Sequence, residues 1–371
     1  MSSAHLVSPR WTLTAMKRGI AHSAAPLRAT RVPPRLLART LSTAAAPGTQ
    51  RVKIHSRGDT GATSPLSTAA APLKQSWSSG FRLLVADGPI LNTLDQDGVW
   101  SVPPTATVSR AVIDMVKYRS GSVIVADQSG MCGIVTERDI LDKMPFTVGK
   151  SREMTVAQLM TPSDALVTGT ESSTLDQCIA AMRAGVFRHL PIVEKRGGAV
   201  RAVISIRDVA QHVAGTLKKH PIASAPTVGE MMAAQGGKGC VEVDEGAAVA
   251  DAVTLMRSTR AGSVLVMGGG SYDDESLVRL GGHLAGIFTE RDYLTKVAVY
   301  DDASAKELPV AAVMTPGDTV RSVPSSKPVA DCLSLMVAGN FRHLPVIDNK
   351  DGAPIGVISM RDILQFLLGG G

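Results

Sequence analysis

Four segments of this 371-residue chain end alike, and that internal repetition constrains the fold more than any other feature of it. They are Gly133-Ile-Val-Thr136-Glu-Arg-Asp139, Ala202-Val-Ile-Ser205-Ile-Arg-Asp208, Gly286-Ile-Phe-Thr289-Glu-Arg-Asp292 and Gly356-Val-Ile-Ser359-Met-Arg-Asp362. Their hydroxyl residues stand 69, 84 and 70 positions apart. The first and third are separated by 153 positions and the second and fourth by 154, so a unit of about seventy residues was paired and the pair was then duplicated.

The text around the motifs follows the same nesting. Odd repeats carry Arg119-Ser-Gly-Ser-Val-Ile-Val and Arg260-Ala-Gly-Ser-Val-Leu-Val; even repeats carry Phe187-Arg-His-Leu-Pro-Ile-Val and Phe341-Arg-His-Leu-Pro-Val-Ile. The lead-ins Val156-Ala-Gln-Leu-Met-Thr-Pro162 and Val310-Ala-Ala-Val-Met-Thr-Pro316 also match. Each unit reads as strand, helix, strand, strand, helix. In the first, Val108 to Met115 places apolar residues at helical spacing. Two β-branched runs flank Asp127-Gln-Ser-Gly130, a turn by composition, which predicts a hairpin. Thr136 then opens a helix through Ile140 and Leu141. One such unit is too small to bury its sheet alone, and pairing relieves this. The expected class is α/β (α+β), with repeats over 85–145, 156–213, 227–298 and 310–368 and a linker over 214–226.

Charge matters only once it is located. The net charge is +6, but ten Lys and Arg fall at or before Arg57 and the first acidic residue is Asp59. The remaining 29 basic residues face 33 acidic ones, so the repeat region is mildly acidic, which argues against a broad nucleic-acid-binding face. Residues 1–58, rich in Arg, Ser, Ala and Thr, have the composition of a mitochondrial transit peptide, with Arg39-Thr40-Leu41-Ser42 resembling a matrix-protease site. Residues 59–84 read as a flexible lead-in. No apolar run approaches the roughly 18 residues of a spanning helix, so no membrane partner is expected. Cys132, Cys178, Cys240 and Cys332 form no CxxC pair, and Cys178 and Cys332 sit inside apolar helical patterns as small core residues. No metal site is expected.

These motifs resemble tandem cystathionine-β-synthase (CBS) domains arranged as two Bateman modules. The second pair is similar to the single-module CBS proteins of plant organelles, and the four-repeat layout is similar to the gamma subunit of AMP-activated kinase. The resemblance implies an adenosyl ligand at the Gly-h-h-Thr/Ser-x-x-Asp motifs. Asp139, Asp208, Asp292 and Asp362 would accept from ribose hydroxyls. Thr136, Ser205, Thr289 and Ser359 would meet phosphate or ribose. Arg138, Arg207, Arg291 and Arg361 would add cations, with Arg188, His189, Arg342 and His343 adding more. A helix N-terminus suits phosphate physically, because its first N–H groups are unpaired. Gly133, Gly286 and Gly356 would leave room for close backbone approach, and Ala202 breaks that pattern in repeat 2. The same Thr/Ser-x-x-Asp spacing also reads as a capping box that needs no ligand.

The resemblance implies a protein that senses AMP, ADP or ATP without further cofactor and modulates a partner protein, such as a thioredoxin-system or respiratory enzyme; the leader's composition points to the mitochondrial matrix, and the sequence offers no nucleophile–base constellation, so no catalysis is expected. A scaffold with vestigial pockets and a sensor of S-adenosylmethionine stay open beside it. The duplication gives one chain two such modules, and the resemblance implies that modules pair face to face, so the two are expected to close on each other within one chain, the alternative being a homodimer.

Overall fold

The computed structural model describes residues 99–144, 150–194, 198–222, 225–237, 239–269, 271–272, 279–280, 282–300 and 303–368. The leader, the lead-in and the start of repeat 1 lie outside the described residues. Repeat 1 comprises β1 (Ser101–Val102), α1 (Val108–Lys117), β2 (Ser122–Asp127), β3 (Gly130–Thr136) and α2 (Glu137–Lys143). After it come α3 (Val156–Leu159) and β4 (Thr161–Pro162). Repeat 2 comprises β5 (Gly169–Thr170), α4 (Leu175–Ala184), β6 (His189–Val193), β7 (Val200–Ser205) and α5 (Ile206–Lys219). Repeat 3 follows with α6 (Val228–Ala234), β8 (Glu242–Asp244), α7 (Val249–Thr259), β9 (Ser263–Gly268), β10 (His283–Thr289) and α8 (Glu290–Lys296). Repeat 4 contains β11 (Thr315–Pro316), β12 (Val323–Pro324), α9 (Val329–Gly339), β13 (His343–Ile347), β14 (Pro354–Ser359) and α10 (Met360–Leu368).

Local chemistry accounts for these elements. The Thr107 hydroxyl accepts from the Arg110 N–H at 3.2 Å and starts α1, whose Val108, Ala111, Val112 and Met115 share one buried face. The chain leaves α1 through Arg119 in the left-handed region, at φ 53. Val186, Arg260 and Asn340 do the same in the other repeats, and a β-branched valine is costly there. The predicted hairpin is present: β2 pairs antiparallel with β3, the Ser129 N–H donates to Asp127 Oδ1 at 2.7 Å, and Gly130 takes φ 118 in the turn.

The sheets of odd and even repeats differ. In repeats 1 and 3 the strand orders are β1-β2-β3-β4 and β8-β9-β10-β11, the fourth strand being the Thr-Pro of the following lead-in. Repeats 2 and 4 hold three strands each, β5-β6-β7 and β12-β13-β14. This explains Gly133 and Gly286 differently from the sequence expectation. A Cβ on Gly133 would meet the Thr161 carbonyl oxygen at 2.5 Å, and one on Gly286 would meet that of Thr315 at 2.5 Å. The close approach is made by the chain's own fourth strand. Repeat 2 tolerates Ala202 because, among the described residues, no fourth strand covers β7.

The cores also extend beyond the expectation that pairing two units buries the sheet of each. One core joins repeats 1 and 3, including Val112, Met115 and Leu141 with Val253, Met256 and Phe288. A second joins repeats 2 and 4, including Met182, Val209 and Val213 with Leu333, Met336 and Ile363. Each core therefore spans both modules, and the two close on each other within one chain. A smaller cluster of Leu265, Met267 and Ile287 with Val320 and Val357 joins repeats 3 and 4. Helix α5 runs to Lys219, into the stretch read as linker, because Ala214 and Leu217 continue its buried face. Among the described residues, no helix is long and apolar enough to cross a membrane.

Candidate functional site

All four motifs form the same local structure. In repeat 1 the Thr136 N–H and hydroxyl donate to Asp139 Oδ2 at 2.9 and 2.6 Å, and the Asp139 N–H returns to Thr136 Oγ1 at 3.3 Å. Ser205 with Asp208, Thr289 with Asp292 and Ser359 with Asp362 repeat this pattern. The capping box inferred from spacing is thus present at every motif, and each hydroxyl proton points at its own aspartate.

The motif arginines and the Phe-Arg-His hairpin starts converge where the four repeats meet. Two glutamates that sequence reasoning passed over organise them. Glu137 Oε2 accepts from Arg342 of repeat 4, and its Oε1 lies 2.7 Å from Arg291 Nε of repeat 3, an ionic contact without hydrogen-bond alignment. Glu290 mirrors it: Oε2 accepts from Arg188 of repeat 2, and Oε1 lies 2.8 Å from Arg138 Nη2 of repeat 1. Arg138 also donates to the carbonyls of Arg260 and Ala261 at 3.1 and 3.0 Å, and Arg361 to that of Val186 at 3.3 Å. The charge of Arg207 reaches Arg291, and that of Arg188 reaches Arg361.

Both glutamates are essentially inaccessible to solvent, at 1% and 0% exposure. Burial alone would raise the Glu137 pKa, but Arg342, Arg291 and Arg188 outweigh it and hold the carboxyl at about 2. His189 and His343 behave oppositely. Burial, then Arg342 and Arg188, push each down to about 3. They are neutral at physiological pH and add no cation, which corrects the expectation from sequence. Gly121 and Gly262 make room for them, since added Cβ atoms would lie 2.7 and 2.5 Å from His189 Nε2 and His343 Nε2. The signal for the glutamates was in the sequence: motif position two alternates Glu137, Ile206, Glu290, Met360.

The four-repeat topology and the motif geometry define a tandem CBS-domain protein, and the chain belongs to that family. The CBS domain description matches residues 94–145, 156–215 and 310–369. Among curated relatives, CBS domain-containing protein CBSCBSPB3 of Arabidopsis thaliana is 32% identical over 297 residues, covering 71% of this chain and 49% of that protein. CBSX3, mitochondrial, of the same plant is 31% identical over 121 residues, covering 32% of this chain and 58% of that protein. The chain spans about half the length of the first curated relatives it matches, 50% and 49%. Protein MJ1225 of Methanocaldococcus jannaschii, a candidate archaeal homologue of g-AMPK, shares the fold at a TM-score of 0.59 and 17% identity, over 75% of this chain and 99% of that one.

Proposed function

We propose that the chain is a non-catalytic regulatory protein that binds an adenine nucleotide (AMP, ADP or ATP) and transmits its occupancy to a partner protein. One observation carries this reading. Four arginines, one from each repeat, meet two glutamates and two neutral histidines, so the junction keeps an excess of positive charge. A cationic excess on partly covered guanidiniums suits phosphate and opposes the sulfonium of S-adenosylmethionine. The motif aspartates are the source of ribose acceptors on this reading, and the arginines face the phosphates. Both modules contribute charges to one junction, so a ligand there changes how they hold each other, which is what a partner such as a thioredoxin-system or respiratory enzyme would sense. The acid-free leader and the likeness to a plant protein named as mitochondrial support a matrix location.

A scaffold reading has its own support, because Glu137 and Glu290 complete the ion network without a ligand. Thermal-shift and calorimetric titration of the chain with AMP, ADP, ATP and S-adenosylmethionine separates the readings. We expect a rise in Tm with at least one nucleotide, equivalent to about 2.7 kcal/mol at a hundredfold excess over Kd. Binding of S-adenosylmethionine alone would replace the nucleotide reading, and no heat with any of the four at millimolar concentration would leave the scaffold.

A further inference from the structure

Glu137 and Glu290 are charged groups of the junction that the proposed function does not use. Each meets only guanidiniums of the other module: Glu137 of repeat 1 meets Arg291 and Arg342, and Glu290 of repeat 3 meets Arg138 and Arg188. The two kinds of group differ in cover. The carboxylates are shut off from solvent, whereas the four arginine side chains stay between 17% and 35% exposed. Arg342 and Arg188 give Nη2 to the glutamates, and their Nη1 atoms lie beside Gly121 and Gly262, 3.4 and 3.3 Å from where a Cβ would stand. An anion entering from solvent therefore meets guanidiniums first, with the carboxylates fixed behind them.

That layering sets the charge a ligand has to match. Four guanidiniums against two carboxylates leave a net +2, because His189 and His343 are neutral. Neighbouring charges change this little. Asp139 and Asp292 are paired with Lys143 and Lys296. Arg207 and Arg361 each stand one residue from an aspartate, Asp208 and Asp362. Asp142 reaches Arg138 at 3.4 Å from an exposed position, where water screens it. A phosphomonoester carries about −1.5 to −2 near pH 7, and each further phosphate adds roughly one more negative charge. One such group neutralises the junction. A second or third phosphate brings charge in excess of that match, against two fixed carboxylates.

We propose that Glu137 and Glu290 determine the ligand's phosphate number: by cancelling half of the guanidinium charge at the junction, they select a nucleoside monophosphate over the di- and triphosphate. This rests on the nucleotide reading above and narrows it. The glutamates are positioning residues that act through the arginines and through their own field. A fixed charge several ångströms away in a partly covered site changes affinity for one further negative charge by roughly tenfold.

Calorimetry of the full chain with AMP, ADP and ATP tests this, without magnesium, which masks ligand charge. Circular dichroism checks the fold of each variant. The unaltered chain should bind AMP roughly tenfold more tightly than ATP, with ADP between them. E137Q/E290Q keeps side-chain length and an acceptor for each arginine but removes both charges, and should raise the ratio of ATP to AMP affinity by roughly tenfold to a hundredfold. A glutamate with only a structural role would move all three affinities together and leave that ratio alone. E171Q/E194Q makes the same change in net charge at two exposed glutamates that pair with Arg201, and should keep the ratio within about twofold. An unaltered chain that binds ATP as tightly as AMP overturns the proposal, as does an unchanged ratio in E137Q/E290Q. If the double variant does not fold, E137Q and E290Q are measured singly. If neither folds, salt decides on the unaltered chain: a preference for AMP set by charge narrows as ionic strength rises, and one that does not narrow overturns the proposal. A chain that binds none of the three nucleotides removes the nucleotide reading itself, a result distinct from binding them in the wrong order.

Discussion

Repeats 1 and 3 and repeats 2 and 4 share one plan but have divided its labour. The odd repeats have four-stranded sheets, seven-residue final helices, a buried glutamate at motif position two and a lysine paired with the motif aspartate, Lys143 with Asp139 and Lys296 with Asp292. The even repeats have three-stranded sheets, longer final helices, apolar Ile206 and Met360 at that position, and the arginines, Arg188 and Arg342, that hydrogen-bond the odd glutamates. Duplication of a pair, not fourfold copying of a single unit, made this possible. A carboxylate in one module and its guanidinium in the other can then be complementary, and the junction is closed twice by the same pairing.

The comparison breaks most sharply at the buried glutamates. Glu137→Ala would leave Arg342 and Arg291 without their counter-charge in a buried site, and losing one partner of a buried pair costs about 3–5 kcal/mol. Met360→Leu, at the corresponding even position, conserves volume and carries no charge, so it should cost less than about 1.5 kcal/mol. Urea unfolding midpoints at neutral pH check both. Equal, small losses would mean that the charge network does not hold the modules together.

The next contrast uses the fourth strand. Gly133→Ala should destabilise by about 1–3 kcal/mol, because the new methyl meets a backbone oxygen that cannot move without breaking β3–β4 pairing. Ala202→Gly should cost about 1 kcal/mol or less, since it loses a methyl and gains chain entropy on an uncovered strand. Thermal melts that rank the two the other way would show that strand coverage is not what separates glycine from alanine here.

Much of this was legible in the sequence, for a physical reason. Repetition, helical spacing around Val108, the Asp127–Gly130 turn and the Thr/Ser-x-x-Asp caps are all local signals, and the structure carries each of them. Closure of the modules on each other within one chain followed from the duplication taken together with the family resemblance. What sequence hid was long-range. That Glu137 pairs with residues 291 and 342 depends on how two modules meet. Gly133 looked like a ligand clearance because the strand that approaches it comes from the next repeat's lead-in. The Lys143–Asp139 pair had a local half, Lys at four beyond Asp, which on a helix is visible as an i,i+4 pair. Its other half, the threonine and carbonyl of the lead-in, appears only once the chain is folded.

The smallest contrast lies in the first helices. The fourth residue of each is Ala111, Cys178, Ala252 or Cys332, and all four are buried. Odd repeats fill this place with a methyl and even repeats with a thiol, so the sulfur should serve as a slightly larger apolar group. Cys178→Ala and Cys332→Ala should then cost only about 1 kcal/mol each, the order expected for a small deletion from a packed core. Burial raises these thiols to about 11 and about 12, so the thiolate that attacks a labelling reagent is scarce at neutral pH. In the folded chain both should label far more slowly than an unfolded thiol, at a rate set by opening of the core joining repeats 2 and 4. Rapid labelling without loss of secondary structure would show instead that this core opens easily, and that the even repeats are held less firmly than their packing indicates.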